Sequence, residues 1–325
     1  MNTAAQNRAG LAILSVLLGV GAISINDMLI KQLSGGYPLH QIVFTRSAIA
    51  ILFSLVMVQA EGGWQVLKTD QPGLHLLRGA TVVVSNMTFF VGLSVLPLAD
   101  ATALFFAAPL FITLLSIPIL GEKVGMLRLS AVAVGFVGVI IMQRPWAGEQ
   151  GLAVSRLVLL LPLLAALFYA LNQLMTRKLG VRAKASALAV YIQGTFLLVS
   201  MLFYLVAGDG RFIDAGSPDA LQFLLRAWVW PSDGDVWVFC ALGLNAAVIG
   251  YCLSQAYRLA DAATVAPFEY IGLPLAVFWG LAIFGEIPAW EVWIGIALIL
   301  GSGLFVFVRE RRKARILSRG IGTRR

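Results

Sequence analysis

Residues 261–286 read DAATVAPFEYIGLPLAVFWGLAIFGE, and this stretch decides the class of fold. Its residues 262–285 carry a single charge, that of Glu269. Roughly 20 apolar residues suffice to cross the ~30 Å hydrocarbon core of a bilayer. A charge in that core costs about 2.5 kcal/mol or more and is tolerated where it faces a bundle interior or a wet cavity. The stretch therefore predicts a membrane span with a buried acid, which belongs either to a binding site or to a structural ion pair.

Two prolines flank that acid, Pro267 on one side and Pro274 on the other. Each proline lacks a backbone N–H and frees a carbonyl group, which only protein or water can satisfy at membrane depth. An acid beside two helix breaks is typical of a helix that lines a cavity. We therefore expect Glu269 and its neighbours Phe268 and Tyr270 to bind a substrate.

The composition excludes a soluble globular domain, because only 12% of the residues are charged, 59% are hydrophobic and the mean hydropathy is +0.88. Soluble domains have about 25% charged residues. The formal charge of +8 does not indicate a nucleic-acid partner, since eight of the 24 Lys and Arg lie in residues 309–325. The chain is predicted to be an all-α protein of the lipid bilayer.

No motif of an enzyme, a metal site or a cofactor site occurs. The two cysteines, Cys240 and Cys252, and the two histidines, His40 and His75, have neither metal-ligand nor disulfide-framework spacing. The phosphate-binding G-x-x-x-x-G-K-[ST] loop and the hydrolase motifs H-E-x-x-H and G-x-S-x-G are also absent from the sequence. We expect no enzyme activity, no metal, no cofactor and no ATP-driven step.

Ten apolar segments can be drawn, and most of the connections between them are short. The long connection, residues 208–234, is predicted to hold an interfacial helix over residues 219–230. The ten predicted transmembrane helices are residues 10–33, 39–59, 74–96, 99–120, 126–143, 155–179, 185–207, 235–258, 262–284 and 290–308.

The charges between these segments predict the orientation of the chain. With a cytoplasmic N-terminus, 18 Lys and Arg fall on the inner side and five on the outer side. Positive charge concentrates on the cytoplasmic side of membrane proteins. The chain is thus expected in the inner (plasma) membrane as a multi-pass protein with both termini cytoplasmic and residues 208–234 outside.

The sequence repeats itself across its two halves. Residues 98–101 (LADA) open an apolar segment that ends with Gly-Glu at 121–122, and residues 259–262 (LADA) open one that ends with Gly-Glu at 285–286. Each half then holds five spans, and an odd number of spans gives the two repeats opposite orientations in the membrane. The fold class is therefore predicted as ten transmembrane helices in two inverted five-helix repeats.

The repeat also predicts domain boundaries. The first five-helix repeat covers residues 10–146, the second covers residues 152–309, and a basic cytoplasmic tail covers residues 310–325. Proline-interrupted helices at corresponding positions of inverted repeats point to a substrate site near the bilayer midplane. Here Pro109 and Pro267 are those interruptions.

Small residues recur at helical spacing in the fifth and tenth segments. Such small-xxx-small faces let helix backbones approach closely. We expect these two segments to be scaffold packing, or part of a homodimer face, and not to line a pathway. The small residues are Ala131, Gly135, Gly138, Gly295, Ala297, Gly301 and Gly303.

Polar residues inside the predicted spans are few. Asp27 and Lys31 are four residues apart, so they can pair on one helix face, or Lys31 can reach the interface. Arg46 stays charged and needs an anionic partner, for which Asp27, Glu269 or a substrate carboxylate would serve. The sequence leaves these alternatives open.

Aromatic and amide side chains surround these charges and could bind a planar or cationic solute by stacking, cation–π contact and hydrogen bonds. For any one of them, packing within the bundle is the alternative interpretation. Phe89, Phe105, Gln173, Tyr191 and Gln193 are further side chains of this kind. The predicted substrate-binding residues are Glu269, Tyr270, Phe268, Arg46, Asp27, Asn26, Asn86, Phe90, Phe106, Tyr169, Asn172, Tyr251 and Gln255, with helix breaks at Pro109, Pro267 and Pro274.

The two halves resemble the paired EamA domains of the drug/metabolite transporter superfamily. The resemblance is carried by residues 96–125, LPLADATALFFAAPLFITLLSIPILGEKVG, and residues 258–288, RLADAATVAPFEYIGLPLAVFWGLAIFGEIP. It implies a secondary transporter with alternating access, in which the first, third, fourth, sixth, eighth and ninth spans surround a central cavity. It also implies that Glu122 and Glu286 close their helices as structural residues. Residues 267–270, PFEY, are similar to the subset that includes riboflavin and S-adenosylmethionine importers.

These observations predict a secondary active transporter that moves a small organic metabolite across the inner membrane by alternating access. The solute would be an amino acid, an amine, a nucleoside or a vitamin-like compound. Glu269 is expected to recognise a cationic group or a proton, and Arg46 an anionic group. The alternatives are an exporter of amino acids or toxic amines with the same fold, and a membrane receptor or scaffold that uses residues 208–234.

Overall fold

The computed structural model describes residues 3–121, 124–146, 155–179, 185–214, 216–259 and 268–321. Every regular element in these ranges is helical, as predicted. The helices are α1 (Thr3–Leu33), α2 (Leu39–Glu61), a short 3₁₀ turn (Gly63–Leu67), α3 (Pro72–Val95), α4 (Leu98–Phe105), α5 (Ala108–Leu120), α6 (Met126–Met142), α7 (Arg156–Leu179), α8 (Ala185–Ala207), α9 (Asp219–Leu225), α10 (Asp233–Leu259), α11 (Gly272–Phe284) and α12 (Trp290–Ile321).

The helices of this bundle are long and apolar, as those of a multi-pass membrane protein are. Among the described residues, seven helical segments are long and apolar enough to cross a membrane, and each coincides with one of the predicted apolar segments. Three shorter apolar helices, Met126–Met142, Gly272–Phe284 and Trp290–Phe305, coincide with the other three. The apolar runs of the sequence thus become the helices of the bundle.

The fourth apolar segment is broken in its middle. Helix α4 ends at Phe105, and helix α5 begins at Ala108, so Phe106 and Ala107 form a non-helical link. Pro109 lies in the first turn of α5, where a helix has no intrahelical acceptor for its N–H and a proline is therefore tolerated. The break leaves backbone groups of this link in the interior of the bundle.

The corresponding segment of the second half is also irregular. Phe268 and Glu269 are helical, Tyr270 and Ile271 form a turn, and α11 then begins at Gly272. Pro274 is in the first turn of α11, as Pro109 is in the first turn of α5. Pro267, the predicted break before Glu269, lies outside the described residues.

Contacts between the two halves hold the bundle together. Helix α1 packs along α10, α2 along α8, α3 along α7, and α6 along α12. Helix α2 also contacts α10, α3 contacts α8, α5 contacts α7, α1 contacts α11, and α4 contacts α11. Buried apolar side chains such as Leu93, Leu104 and Leu273 fill the spaces between these helices. Each half therefore completes the core of the other.

Helices α6 and α12 pack closely against each other at two glycines. A Cβ atom on Gly138 would lie 3.0 Å from the carbonyl oxygen of Gly295, and one on Gly295 would lie 3.1 Å from that of Gly138. Neither helix contributes to the internal cavity described below. The predicted scaffold packing of these two segments is confirmed, and the homodimer face stays a prediction.

The connection between α8 and α10 is bonded to the first turn of α2. The predicted helix over residues 219–230 is wrong in its second half, because α9 ends at Leu225 and Arg226 is extended. The backbone N–H and carbonyl of Val229 both bond to the side chain of Gln41, and Trp228 stacks on His40. These contacts satisfy groups that a continued helix would have used internally.

Candidate functional site

An internal cavity of about 470 Å³ lies among the helices of both halves. Pockets for small organic ligands measure ~300–1,000 Å³. Helices α1, α2, α3, α4, α5, α7, α8, α10 and α11 all contribute to its wall. The predicted residues that line it are Asn26, Asp27, Arg46, Asn86, Phe90, Phe106, Pro109, Tyr169 and Glu269.

Six other predicted residues are not among the lining residues, and Pro267 lies outside the described part of the chain. Phe268 packs against the small apolar cluster around Val16, and the Tyr270 ring packs against Phe106, with ring centroids 5.5 Å apart. Tyr251 is half exposed and accepts a hydrogen bond from Gln255. The other two are Asn172 and Pro274. Of the fifteen predicted positions that the structure describes, nine therefore line the cavity.

A buried polar cluster marks the part of the cavity between α1 and α2. The Arg46 Nη1 atom donates to Asn26 Oδ1 at 3.2 Å, and Asn26 Nδ2 donates to Asp27 Oδ1 at 3.1 Å. The Arg46 guanidinium also lies between the rings of Phe90 and Phe196, at 5.6 and 5.4 Å from their centroids. Of the partners left open by the sequence, Asp27 is joined to Arg46 through Asn26.

Of the two alternatives that the sequence left open for Lys31, the pairing with Asp27 is wrong. Lys31 Nζ lies 2.7 Å from Glu286 Oε1 and also donates to the carbonyl of Leu96. Glu286 Oε2 accepts the backbone N–H of Leu98 at 2.8 Å. This N–H is one of the unpaired donors at the start of α4, where a carboxylate is favourable. Glu286 therefore caps a helix of the other half.

This ion pair lies at one end of the cavity, because Leu98 is a lining residue. The side chains of Lys31 and Glu286 are 10% and 23% exposed. Glu286 follows Gly285, the C-terminal cap of α11, so it lies at the end of its helix, as the family resemblance implies. The bridge links α1 to the segment after α11 and holds the start of α4 between them. Glu122, its counterpart in the first half, lies outside the described residues.

A row of aromatic rings forms another wall. The ring centroids of Phe90 and Phe89 are 5.7 Å apart, those of Phe89 and Phe105 are 5.1 Å apart, and those of Phe105 and Tyr169 are 5.5 Å apart. The row runs from α3 through α4 to α7, and Glu269 lies near enough to Tyr169 to act on it electrostatically. Such a wall suits a planar solute, since aromatic rings stack with an offset or meet edge to face.

Several buried polar atoms of the wall have unmet hydrogen-bonding capacity. Within the described part of the chain, the atoms Ser24 Oγ, Arg46 Nε, Thr102 Oγ1 and Gln193 Oε1 have no hydrogen-bond partner. Buried polar groups are paired in the large majority of cases. Four such atoms belong to residues of one cavity wall, so this wall holds more hydrogen-bonding capacity than the described residues use.

Some lining residues carried no signal that sequence reasoning could use. Ser24 and Thr102 are short hydroxyl side chains in apolar helices, and in such helices most hydroxyls bond back to their own backbone. Phe196 looks like any other core aromatic in sequence. Gln193 was visible as an intramembrane amide, but nothing distinguished it from Gln173, which donates to the Tyr169 hydroxyl. Their position on the cavity is a property of the helix packing.

The fold and the cavity together define a class: a multi-pass membrane protein that can hold a small organic solute between two halves of its bundle. The sequence profile of the EamA-like transporter family matches residues 10–144. A solved crystal structure superposes with a TM-score of 0.59 over 96% of this chain and 99% of that chain, and its 18% identity makes this a likeness of fold alone.

Curated relatives extend over most of the chain. A riboflavin transporter of Vibrio cholerae is 34% identical over 86% of both chains. A riboflavin transporter of Rhizobium johnstonii is 31% identical over 94% of this chain and 93% of its own, and an S-adenosylmethionine uptake transporter of Rickettsia prowazekii is 27% identical over 91% and 92%. The chain belongs to the EamA-like transporter family. It is a small-metabolite transporter of the drug/metabolite transporter type and not an enzyme.

Proposed function

We propose that this protein takes up a flavin, with riboflavin as the reference solute, across the plasma membrane. The observation that carries the proposal is the row of Phe90, Phe89, Phe105 and Tyr169 along a cavity that also has unpaired polar atoms. A flavin combines a flat, largely apolar three-ring system with a chain of hydroxyl groups. Stacking on the aromatic row would hold the rings, and the hydroxyls of Ser24 and Thr102 would meet the polar chain.

The relatives favour this solute over S-adenosylmethionine, because the riboflavin transporters are 34% and 31% identical to this chain and the S-adenosylmethionine transporter is 27% identical. S-Adenosylmethionine carries a positive sulfonium centre. Beside the bonded cluster of Asp27, Asn26 and Arg46 that centre would be repelled by the guanidinium, because burial of both charges reduces screening. Glu269 is the other carboxylate of the wall, so the test below includes S-adenosylmethionine as a competitor.

We further propose that the ten helical segments are ten spans in two inverted five-helix repeats, residues 10–146 and residues 152–309. In a two-fold relation the first segment corresponds to the sixth, the second to the seventh, and so on to the fifth and tenth. The contact of α1 with α10 then corresponds to that of α7 with α3, and the contact of α2 with α10 corresponds to that of α8 with α3. The contact of α5 with α7 corresponds to that of α11 with α1, and all of these contacts occur. A contact pattern that maps onto itself supports a two-fold relation between the halves.

In this proposal the two halves rock around the cavity in an alternating-access cycle, and both termini face the cytoplasm. The excess of Lys and Arg in the segments assigned to the inner side supports that orientation. The end of the cavity closed by Lys31 and Glu286 then faces outward. Uptake requires that this bridge separates when the outer side opens.

The test is uptake of labelled riboflavin by a bacterial strain that neither makes nor imports the vitamin on its own. We expect the full-length protein to support growth at low riboflavin concentration and to accumulate the label. Excess unlabelled riboflavin should compete, and excess S-adenosylmethionine should not. Uptake of labelled S-adenosylmethionine without uptake of riboflavin would overturn the choice of solute. Efflux from preloaded cells without uptake would overturn the direction.

A further inference from the structure

Two of the unpaired atoms belong to residues next to the same ring, that of Phe196. The guanidinium carbon of Arg46 is 5.4 Å from the centroid of Phe196. Gln193 precedes Phe196 by three residues on α8, and residues at this spacing are neighbours on one helix face. Both Arg46 and Gln193 line the cavity, and Arg46 Nε and Gln193 Oε1 are both unpaired. The helix spacing thus places the two residues at one corner of the wall.

The two atoms have opposite hydrogen-bonding character. Arg46 Nε can only donate, and its neighbour Nη1 is already bonded to Asn26. Gln193 Oε1 can only accept. Neither atom has a partner among the described residues, and Arg46 is only 7% exposed. A solute fits this corner when it presents a carbonyl oxygen and an N–H close together.

The position of the donor is fixed by packing. Phe90 and Phe196 hold the guanidinium from two sides, and the bond to Asn26 sets its rotation. Cation–π contacts of a desolvated arginine stabilise one placement of the planar group. A donor held in this way selects solutes by geometry, because a misplaced acceptor leaves the N–H unpaired at a substantial cost.

We infer that Arg46 and Gln193 determine specificity by binding the imide edge of the flavin ring. Arg46 Nε–H donates to a ring carbonyl, and Gln193 Oε1 accepts a hydrogen bond from the ring N3–H. The inference rests on the proposed flavin uptake and names the part of the solute that this corner recognises. S-Adenosylmethionine has no imide, so the same pair excludes it. The aromatic row stacks the ring system, and the two polar atoms set its orientation.

The probe is N3-methylriboflavin, in which a methyl group replaces the N–H of the imide. Its ability to compete with labelled riboflavin uptake is compared with that of unlabelled riboflavin in the same cells. We expect it to compete at least about tenfold more weakly, because it leaves Gln193 Oε1 unpaired. Wild-type protein alone gives this result, so the test does not depend on the folding of a variant.

A variant then assigns the discrimination to Gln193. Gln193→Met replaces the amide by an apolar side chain of similar length, and Gln59→Met makes the same change at an exposed position of α2. We expect Gln193→Met to weaken riboflavin competition and to bring the ratio between the two flavins close to one. Gln59→Met should keep the wild-type ratio. Arg46→Lys, which keeps the charge without the planar group, should weaken both flavins.

The outcomes separate the two claims. A wild-type protein that takes up riboflavin but accepts N3-methylriboflavin equally well overturns the inference and leaves flavin uptake standing. A Gln193→Met protein that takes up riboflavin with the wild-type discrimination also overturns it. A wild-type protein that takes up neither flavin overturns the proposed function, and the inference with it. Discrimination in the wild type that is lost in Gln193→Met alone supports both.

Discussion

Replacing Glu286 by glutamine tests whether the ion pair with Lys31 closes its end of the cavity, the end that we propose faces outward. The Glu286 carboxylate lies 2.7 Å from Lys31 Nζ and accepts the N–H of Leu98 at 2.8 Å. Glutamine keeps an acceptor for Leu98, so Glu286→Gln removes the charge and leaves the cap. Breaking one side of a buried pair costs about 3–5 kcal/mol, and the 23% exposure of Glu286 places the effect at the lower end, near 3 kcal/mol.

The substitution raises the free energy of the conformation in which Lys31 and Glu286 form the ion pair. About 3 kcal/mol corresponds to a population shift of roughly 100-fold toward conformations in which Lys31 can reach water. The assay is labelling of a cysteine at Thr102, one turn into α4, by a membrane-impermeant thiol reagent added from outside. The two native cysteines, Cys240 and Cys252, are first replaced by alanine to remove background.

We expect Glu286→Gln to raise the labelling rate well above that of the parent protein. Lys31→Met should do the same. The double variant Lys31→Met/Glu286→Gln should label less than either single variant, because it leaves no uncompensated charge. Equal labelling in the parent and in Glu286→Gln would refute the reasoning. So would a double variant whose effect is the sum of the two single effects.

Three further results are expected. Phe105→Ala should weaken riboflavin binding about 2- to 13-fold through loss of ring contacts, whereas Phe53→Ala, at an exposed site on α2, should not change it. Gly138→Ala should lower the free energy of unfolding in detergent by about 1–3 kcal/mol through overpacking against α12, seen as a lower thermal midpoint, whereas Gly301→Ala, which has open space, should not. Gln41→Met should make the segment after α9 more sensitive to protease, because that segment loses both of its bonds to the Gln41 amide.

Each of these expectations can fail on its own. Equal riboflavin affinity in Phe105→Ala and the parent would mean that the aromatic row only packs. An unchanged midpoint in Gly138→Ala would mean that the contact of α6 with α12 adjusts without cost. Unchanged proteolysis in Gln41→Met would mean that Trp228 alone holds the segment.

Much of the fold could be predicted because the bilayer imposes a simple rule on sequence. Spans must be apolar for about 20 residues, so α8 has both of its predicted bounds, α1 ends at the predicted Leu33, and α2 begins at the predicted Leu39. The cost of charge in hydrocarbon likewise pointed to Asp27, Arg46 and Glu269, all of which line the cavity. These predictions follow from the properties of the lipid bilayer and do not depend on how the helices pack.

The remaining features depend on which helices meet, which one sequence does not reveal. The sequence allowed Lys31 to pair within α1 or to reach the interface, but Glu286 offers it a carboxylate from the other half of the chain. The α9 helix was expected to run to Trp230, but the bonds of Val229 to Gln41 end it earlier. Gln193 acquires its place on the cavity wall only from the packing of α8 beside α2. Long-range contacts thus decide what local patterns leave open.

The central claim is that the cavity binds a flavin on its aromatic row. The most direct measurement is a fluorescence titration of riboflavin with the purified full-length protein, since stacking on aromatic rings quenches the flavin emission. The account predicts saturable quenching that is unaffected by S-adenosylmethionine and weakened by Phe105→Ala but not by Phe53→Ala. An absence of saturable quenching in a protein that S-adenosylmethionine stabilises against heat would contradict it.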